Sequence, residues 1–295
     1  MKILFILNPK SGKTFLDQDR LETMAKCIQL NFPGADMRLT KSAGHATELA
    51  QEAAANGYEA VVAIGGDGTI NETARGLVGT NTALGVIPKG SGNGFARELG
   101  MPFLFEEAVM RLQRAQMHKC DAGRANRELF LNLAGVGIEA EIAWKFMEQG
   151  KTGIRGMWPY FKIGAQTVFS YKPKTLQLDL DGTPCTLSPL TLVFANGRQY
   201  GSNFKIAPKA NLSDGELDMV IVQDAPKWKL ALAAPSFFTD NWRPFGITET
   251  THAKHAVICS PGDIVYHIDG EPRKTKDQLE ITIQPGALNV LFPEK

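Results

Sequence analysis

Val61-Val62-Ala63-Ile64-Gly65-Gly66-Asp67-Gly68-Thr69-Ile70-Asn71-Glu72 is the stretch that decides the fold. Its opening apolar run, without polar alternation, predicts a strand buried on both faces. The glycines that follow leave the strand's carboxyl end, where ligands of open α/β sheets gather. Gly65, Gly66 and Gly68 let backbone N–H groups approach a phosphate, Thr69 adds a hydroxyl, and Ile70 to Leu77 reads as a helix whose N-terminus favours anions. A plain turn would need only glycine's positive φ and an Asp-Gly pair. Three glycines, an acid and a hydroxyl exceed that need, so the stretch reads as a polyphosphate cradle. Asp67 would repel the ligand unless a cation stands between them, and Mg²⁺ resolves the conflict.

Working outward, Lys2 to Leu7 predicts a first strand, and Asn8-Pro9-Lys10-Ser11-Gly12-Lys13-Thr14 a turn rich in N–H, hydroxyl and cation after it. The Gly-Lys-Thr ending invites a P-loop reading, but that motif requires glycine where Leu7 stands. Leu21, Met24, Ala25, Ile28 and Leu30 recur at near-helical spacing. Asp36 to Thr40 and Leu84 to Ile87 read as strands, and His45 to Asn56 as an Ala-rich helix. Strands alternating with helices imply a doubly wound sheet. After the Leu84 strand, Pro88 to Arg97 carries a second glycine loop, Gly90-Ser91-Gly92-Asn93, placed to close over the same polyphosphate, with Asn93 capping the next helix.

At 295 residues the chain favours two domains. Thirty-two Lys plus Arg against 31 Asp plus Glu leave a formal charge of +1, which excludes a broad basic field for nucleic acid. The four cysteines form no C-x-x-C pair, against both a zinc site and a disulfide scaffold, and fit a reducing cytoplasm. The apolar start ends at Asn8-Pro9 without a cleavage site, and no apolar stretch is long enough to span a membrane.

From about Met117 the periodicity turns from helical to two-residue alternation, predicting a domain boundary near Gly123. Leu129 to Leu133 reads as a strand. Gly135 to Ala140 matches a loose dinucleotide fingerprint, but the ribose-binding acid expected roughly 20 residues on is missing. Trp144 to Tyr171 is an aromatic connector carrying Trp158, Tyr160, Phe161 and Phe169. A second aromatic cluster spans Trp228 to Phe245 and includes Trp242. Such stripes are core, a lipid-tail cleft or a membrane-contacting rim. Asp181-Gly182 predicts a hairpin, and strands at Leu176 to Leu180, Leu190 to Ala195 and Leu217 to Val222, alternation over Leu279 to Gln284 and a closing segment Leu288 to Phe292 make this half mostly antiparallel. Asp214-Gly215 and Asp269-Gly270 read locally as turns. His252 and His255 lack a third metal ligand.

The Gly65 to Thr69 stretch resembles the GGDGT signature of the diacylglycerol kinase catalytic family, shared with sphingosine and ceramide kinases and, more distantly, with NAD kinases and phosphofructokinases. The resemblance extends over nearly the whole chain. It implies an N-terminal doubly wound α/β domain of the NAD kinase/diacylglycerol kinase type, residues 1–123, and a C-terminal antiparallel β-rich sandwich domain, 124–287, with 288–295 returning to the first. It implies ATP bound by Asn8, Ser11, Thr40, Gly65, Gly66, Asp67, Gly68, Thr69, Asn71, Ser91 and Asn93. Gly94 stands where the family often has an acid, and the Ser form of this loop resembles sphingosine and ceramide kinases.

By the same resemblance Glu139, in a place usually written Asp, faces the lipid head group. Asp214 is the ligand of a structural Mg²⁺, with carbonyl oxygens from Asn211 and Glu216 and a water link to Asp67. Glu271 or Asp269 accepts the acceptor hydroxyl's proton. The expected activity is Mg²⁺-dependent transfer of the ATP γ-phosphate to a hydroxyl of a lipid such as diacylglycerol or a sphingoid base. The competing readings are an NAD kinase-like small-molecule kinase and a nucleotide-binding regulator without turnover. Expected partners are a lipid reached at a membrane surface and room for a homodimer, with no nucleic acid. The expected location is cytoplasmic, peripheral at the inner membrane face.

Overall fold

The computed structural model describes residues 2–12, 17–150, 164, 166–168, 170–239 and 245–294. The chain forms two compact units, Met1–Ala122 with Pro285–Lys295, and Gly123–Gln284.

The first unit runs β1 (Ile3–Leu7), α1 (Gln18–Asn31), β2 (Asp36–Leu39), α2 (His45–Ala55), β3 (Ala60–Gly65), α3 (Asp67–Leu77), β4 (Ala83–Pro88), α4 (Gly94–Glu98), α5 (Phe105–Gln113) and the start of β5 (Gln116–Ala125). Every residue of β1, β3 and β4 is buried. Such strands need helices on both faces, which is the doubly wound arrangement. β2, β1, β3 and β4 lie side by side and all parallel, and Val290 from the end of the chain pairs with Leu84 at the far edge. The register places Leu7 beside both Leu39 and Ile64, and Gly65 beside Pro88. Four strands therefore deliver their carboxyl ends, and the loops that follow, to one rim. α1 buries Met24 and Ile28, whereas Leu30 is exposed.

The second unit runs from the end of β5 through β6 (Glu128–Phe130), β7 (Leu133–Gly137), α6 (Ile138–Gly150), β8 (Leu176–Leu180), β9 (Thr183–Leu187), β10 (Thr191–Ala195), β11 (Leu217–Val222), α7 (Lys227–Ala233), β12 (Thr248–Ala253), β13 (His255–Ile268) and β14 (Glu271–Phe292). β12, β11, β10, β7, β13 and β14 neighbour one another in that order, with antiparallel pairing throughout. Each face carries its own core. Phe130, Phe194, Met219, Tyr266 and Ile268 pack on one side, and Leu133, Val193, Val220, Ile206 and Phe237 on the other. Period-two alternation produces this split, because successive side chains leave opposite faces. The expected single strand over Leu129 to Leu133 is two strands, β6 and β7, broken at Leu131-Asn132.

Candidate active site

On the rim of the first unit lies a recess of about 310 Å³ lined by Asn8, Ser11, Thr40, Gly66, Gly68 and Thr69. Lys10, Lys41 and Glu72 complete the lining in part. The charge of both lysines suits an anion; Lys10 belongs to the cation-bearing turn read from the sequence, whereas Lys41 was given no role there, and its position just past β2 was the available signal. Asn8 ties two loops together, donating from Nδ2 to Thr69 Oγ1 at 3.1 Å and accepting at Oδ1 from Lys10 N–H at 2.9 Å. Lys89 reaches across to the Ser11 carbonyl, and burial, with Arg20 nearby, holds its ammonium below the usual lysine range.

The two glycine loops touch. A Cβ on Gly90 would lie 2.5 Å from Gly66 Cα, and one on Gly92 would lie 3.0 Å from Asp67 Oδ2. Gly66 has φ −90° and ψ −175°, an extended conformation open to any residue, so glycine serves close approach here and not a left-handed turn. α3 begins at Asp67, three residues before the expected Ile70. The acid sits in the first turn, where the helix dipole favours a negative charge, and the first helical bond runs from Ile70 N–H to the Gly66 carbonyl.

Asn93 departs from its expected capping role. It precedes α4 with φ 50° and makes no side-chain cap; instead its amide accepts from Gly90 N–H at 2.8 Å and donates to the Gly90 carbonyl at 2.7 Å. The left-handed backbone aims the side chain back into its own loop, a conformation asparagine tolerates. Gly65, Asp67, Asn71, Ser91 and Asn93 do not line the recess. Asn71 is buried and accepts from Arg75 Nη2 at 3.0 Å, and Ser91 is exposed.

In the second unit Asp269 and Gly270, with φ 49° and 86°, form the two-residue turn between β13 and β14. The Asp269 carboxylate accepts backbone N–H groups from Leu131 at 2.9 Å, Asn132 at 2.9 Å and Leu133 at 3.0 Å. It is committed to holding the break between β6 and β7. Glu271 is different, with a side chain 56 % exposed and Oε2 3.0 Å from Arg273 Nη2. Arg273 also binds Glu128, so three alternating charges run across the strand surface. Arg273 and Glu128 were missed in the sequence; the period-two spacing of Glu271 and Arg273 was the signal.

Glu139 lies in the first turn of α6, just after Gly137 ends β7 with φ 128°. β7 pairs antiparallel on both sides, so the Gly135 to Ala140 fingerprint belongs to no parallel dinucleotide-binding unit. Burial pushes the Glu139 carboxyl up, and His267 acts in the opposite sense.

In the turn after Asn211, Asn211 Oδ1 accepts from Ser213 N–H at 3.2 Å and Asp214 Oδ1 accepts from Glu216 N–H at 3.2 Å. Asp218, given no role by the sequence, is buried on β11; burial pushes its carboxyl up, His252 opposes that, and Asp214 and Glu216 reinforce it. Mutually repelling hard oxygens fit Mg²⁺ chemistry. Among the described residues no three His, Cys, Asp or Glu side chains converge on one point. An ion here would rest on one carboxylate, backbone carbonyls and water.

His252 and His255 face Glu216 and Glu280 respectively. The second aromatic cluster divides, with Phe237 buried and Trp228, Phe238 and Phe245 exposed. Trp158, Tyr160, Phe161, Phe169 and Trp242 lie outside the described residues. No helix among the described residues is long and apolar enough to cross a membrane.

Comparison with known proteins matches two families in turn, the second running past Gln284 into the closing segment of the first unit. Residues 2–125 match the family described as the diacylglycerol kinase catalytic domain, and residues 134–292 the YegS C-terminal NAD kinase beta sandwich-like domain. A protein named diacylglycerol kinase from Bacillus subtilis (strain 168) is 30 % identical over 226 residues, 75 % of this chain and 73 % of the relative. A probable lipid kinase YegS-like protein of Pseudomonas putida is 30 % identical over 260 residues, covering 88 % of this chain and 85 % of its own. A crystal structure of a putative diacylglycerol kinase from Bacillus anthracis str. Sterne superposes with a TM-score of 0.80 at 23 % identity, over 99 % of this chain and 96 % of that one, and shares its fold.

Proposed function

Because the chain belongs to the diacylglycerol kinase catalytic family, we propose that this lipid kinase transfers the ATP γ-phosphate to a lipid hydroxyl in a Mg²⁺-dependent reaction. The observation that carries the reading is the recess at the carboxyl ends of β1, β2 and β3, floored by Gly66, Gly68 and Thr69 at the N-terminus of α3. Backbone N–H groups, a helix dipole and Lys10 and Lys41 together favour a polyphosphate. Asn8, Ser11 and Thr40 contact the nucleotide directly. Gly65, Asn71, Ser91 and Asn93 shape the loops around it.

Phosphoryl transfer passes through a loose transition state, so positioning and charge neutralisation outweigh covalent help from the protein. When bound, Mg²⁺ supplies that neutralisation, and Asp214, the carbonyl oxygens of Asn211 and Glu216, and Asp67 are the groups that would hold or face it. Glu271 is the base, since its carboxylate is open to solvent and steadied at one oxygen by Arg273. Asp269 serves as a positioning residue, its oxygens already committed to three N–H groups. Glu139 meets the acceptor's polar end. The lipid is taken from a membrane surface in the cytoplasm by exposed apolar residues such as Trp228 and Phe238.

The deciding experiment measures ATP-dependent phosphorylation across diacylglycerol, ceramide, sphingosine and NAD⁺, with and without Mg²⁺. Phosphorylation of a lipid is expected. Turnover of NAD⁺ alone, or of nothing despite ATP binding, would replace this reading with one of the two alternatives.

A further inference from the structure

Glu139 and His267 form a couple in the second unit whose hydrogen-bonding capacity is unspent. His267 is 1 % exposed, yet neither ring nitrogen has a hydrogen-bond partner. Glu139 Oε1, 3.7 Å from His267 Nε2, is likewise buried without one, while Thr191 donates to the other carboxylate oxygen. Gly135 makes the meeting possible, because a Cβ there would lie 2.8 Å from His267 Nε2 and 2.9 Å from Glu139 Oε1. Buried polar atoms left unmatched are costly and uncommon, and a ligand group that supplies their partners removes the cost. A file of rings leads inward to this spot: Phe238 at the surface, then Phe204, Tyr200 and His267, with successive centroids 5.1, 5.6 and 5.2 Å apart. Packed on the core of this face, the file is apolar along its length and polar at its end, the polarity order of an amphiphile.

Resting on the lipid-acceptor reading of Glu139, we propose that His267 is a specificity-determining residue: it balances the Glu139 carboxylate, so the subsite takes a neutral hydroxyl-bearing lipid and rejects a cationic aminolipid. Among the described residues His267 is the one basic group acting on Glu139; Tyr171 faces the couple, and Glu141 faces Tyr171. A desolvated pair favours states of zero net charge, either carboxylate with imidazolium or carboxyl with imidazole. In both states the couple offers a donor and an acceptor, which is what a hydroxyl needs. An ammonium would add an unbalanced buried positive charge.

The test compares kcat/KM in mixed micelles for diacylglycerol and ceramide against sphingosine, whose nitrogen is a free amine where that of ceramide is acylated. The wild-type protein is expected to favour the better neutral lipid over sphingosine by about 100-fold or more, the scale set by an unpaired buried charge. His267→Asn, which unmasks Glu139, should cut that ratio by about tenfold or more through the KM for sphingosine, with the KM for ATP unchanged. A merely structural histidine would not move the ratio. Wild-type preference for sphingosine, or a folded His267→Asn with an unaltered ratio, overturns the proposal while leaving lipid kinase activity standing. Should His267→Asn fail to fold, the wild-type ratio decides alone. No turnover of any lipid removes the kinase reading, and this proposal with it.

Discussion

Arg273 steadies Glu271, with Nη2 3.0 Å from Glu271 Oε2, while its Nε donates to Glu128 at 2.9 and 3.1 Å. Both carboxylates are partly exposed, and such pairs contribute at most about 1 kcal/mol to stability. If Glu271 is the base proposed above, the arrangement matters through where it points that carboxylate. Arg273→Met should lower kcat about tenfold and change the melting temperature little, the scale expected when an orienting contact near the chemistry is lost. In a Glu271→Gln background the same change should cost almost nothing more, which a double-mutant cycle on kcat reads directly.

Glu271→Gln itself keeps size and most hydrogen bonding but cannot accept the proton. Loss of a general base costs typically 10²-fold or more, so kcat should fall by about that factor while ATP affinity, measured by calorimetry, stays unchanged. Full activity would remove Glu271 from the mechanism.

Asp269→Asn tests the anchor. One carboxylate oxygen becomes an amide NH₂ facing a backbone N–H, leaving a buried donor unmatched at about 1–3 kcal/mol. Denaturant unfolding should therefore show a loss of about 2 kcal/mol within that range. Well below its melting temperature the folded variant should keep kcat within about tenfold of the parent. A stable but dead variant would pass the base role to Asp269.

Gly90→Ala probes the contact between the glycine loops. The added Cβ would stand 2.5 Å from Gly66 Cα, a backbone atom that cannot rotate away. ATP affinity should drop by about tenfold or more, as expected when a positioned loop shifts by about 1 Å. Calorimetric titration at parental affinity would dismiss the cradle.

Asp214→Ala should weaken Mg²⁺-dependent activity and shrink the Mg²⁺-induced rise in melting temperature together, because an ion bound only to the folded state stabilises by mass action. Equal melting shifts in variant and parent would free Asp214 of a metal role.

The doubly wound sheet was legible because β1, β3 and β4 are unbroken apolar runs, and the antiparallel half because its strands alternate with period two. Less visible was what depends on distance across the fold. Composition marked Gly66 and Gly90 as loop glycines, but only their mutual approach shows that a Cβ on Gly90 would stand 2.5 Å from the Gly66 backbone. Asp269-Gly270 read as a hairpin turn and is one; that its carboxylate gathers three N–H groups from residues more than 130 positions earlier has no local signature. His267 looked like one more residue beside that turn. Its burial against Glu139 follows from strand pairing with Gly135, which periodicity does not specify.

The first unit is completed by a late segment. Val290 covers the edge of β4 at Leu84, Gly286 N–H binds Asp121 at 2.7 Å, and Ala287 accepts from Gly79 N–H at 2.9 Å. All three residues are translated after the whole of Gly123–Gln284. At roughly 5–20 residues per second, about 160 intervening residues take on the order of 8–30 s to emerge from the ribosome. During that interval the nascent sheet carries an apolar, unpaired border at β4, a template for pairing with another chain. Biosynthesis thus makes the first unit wait for the segment that closes it, and chaperone dependence of newly made protein should be set by that delay more than by the stability of the finished molecule.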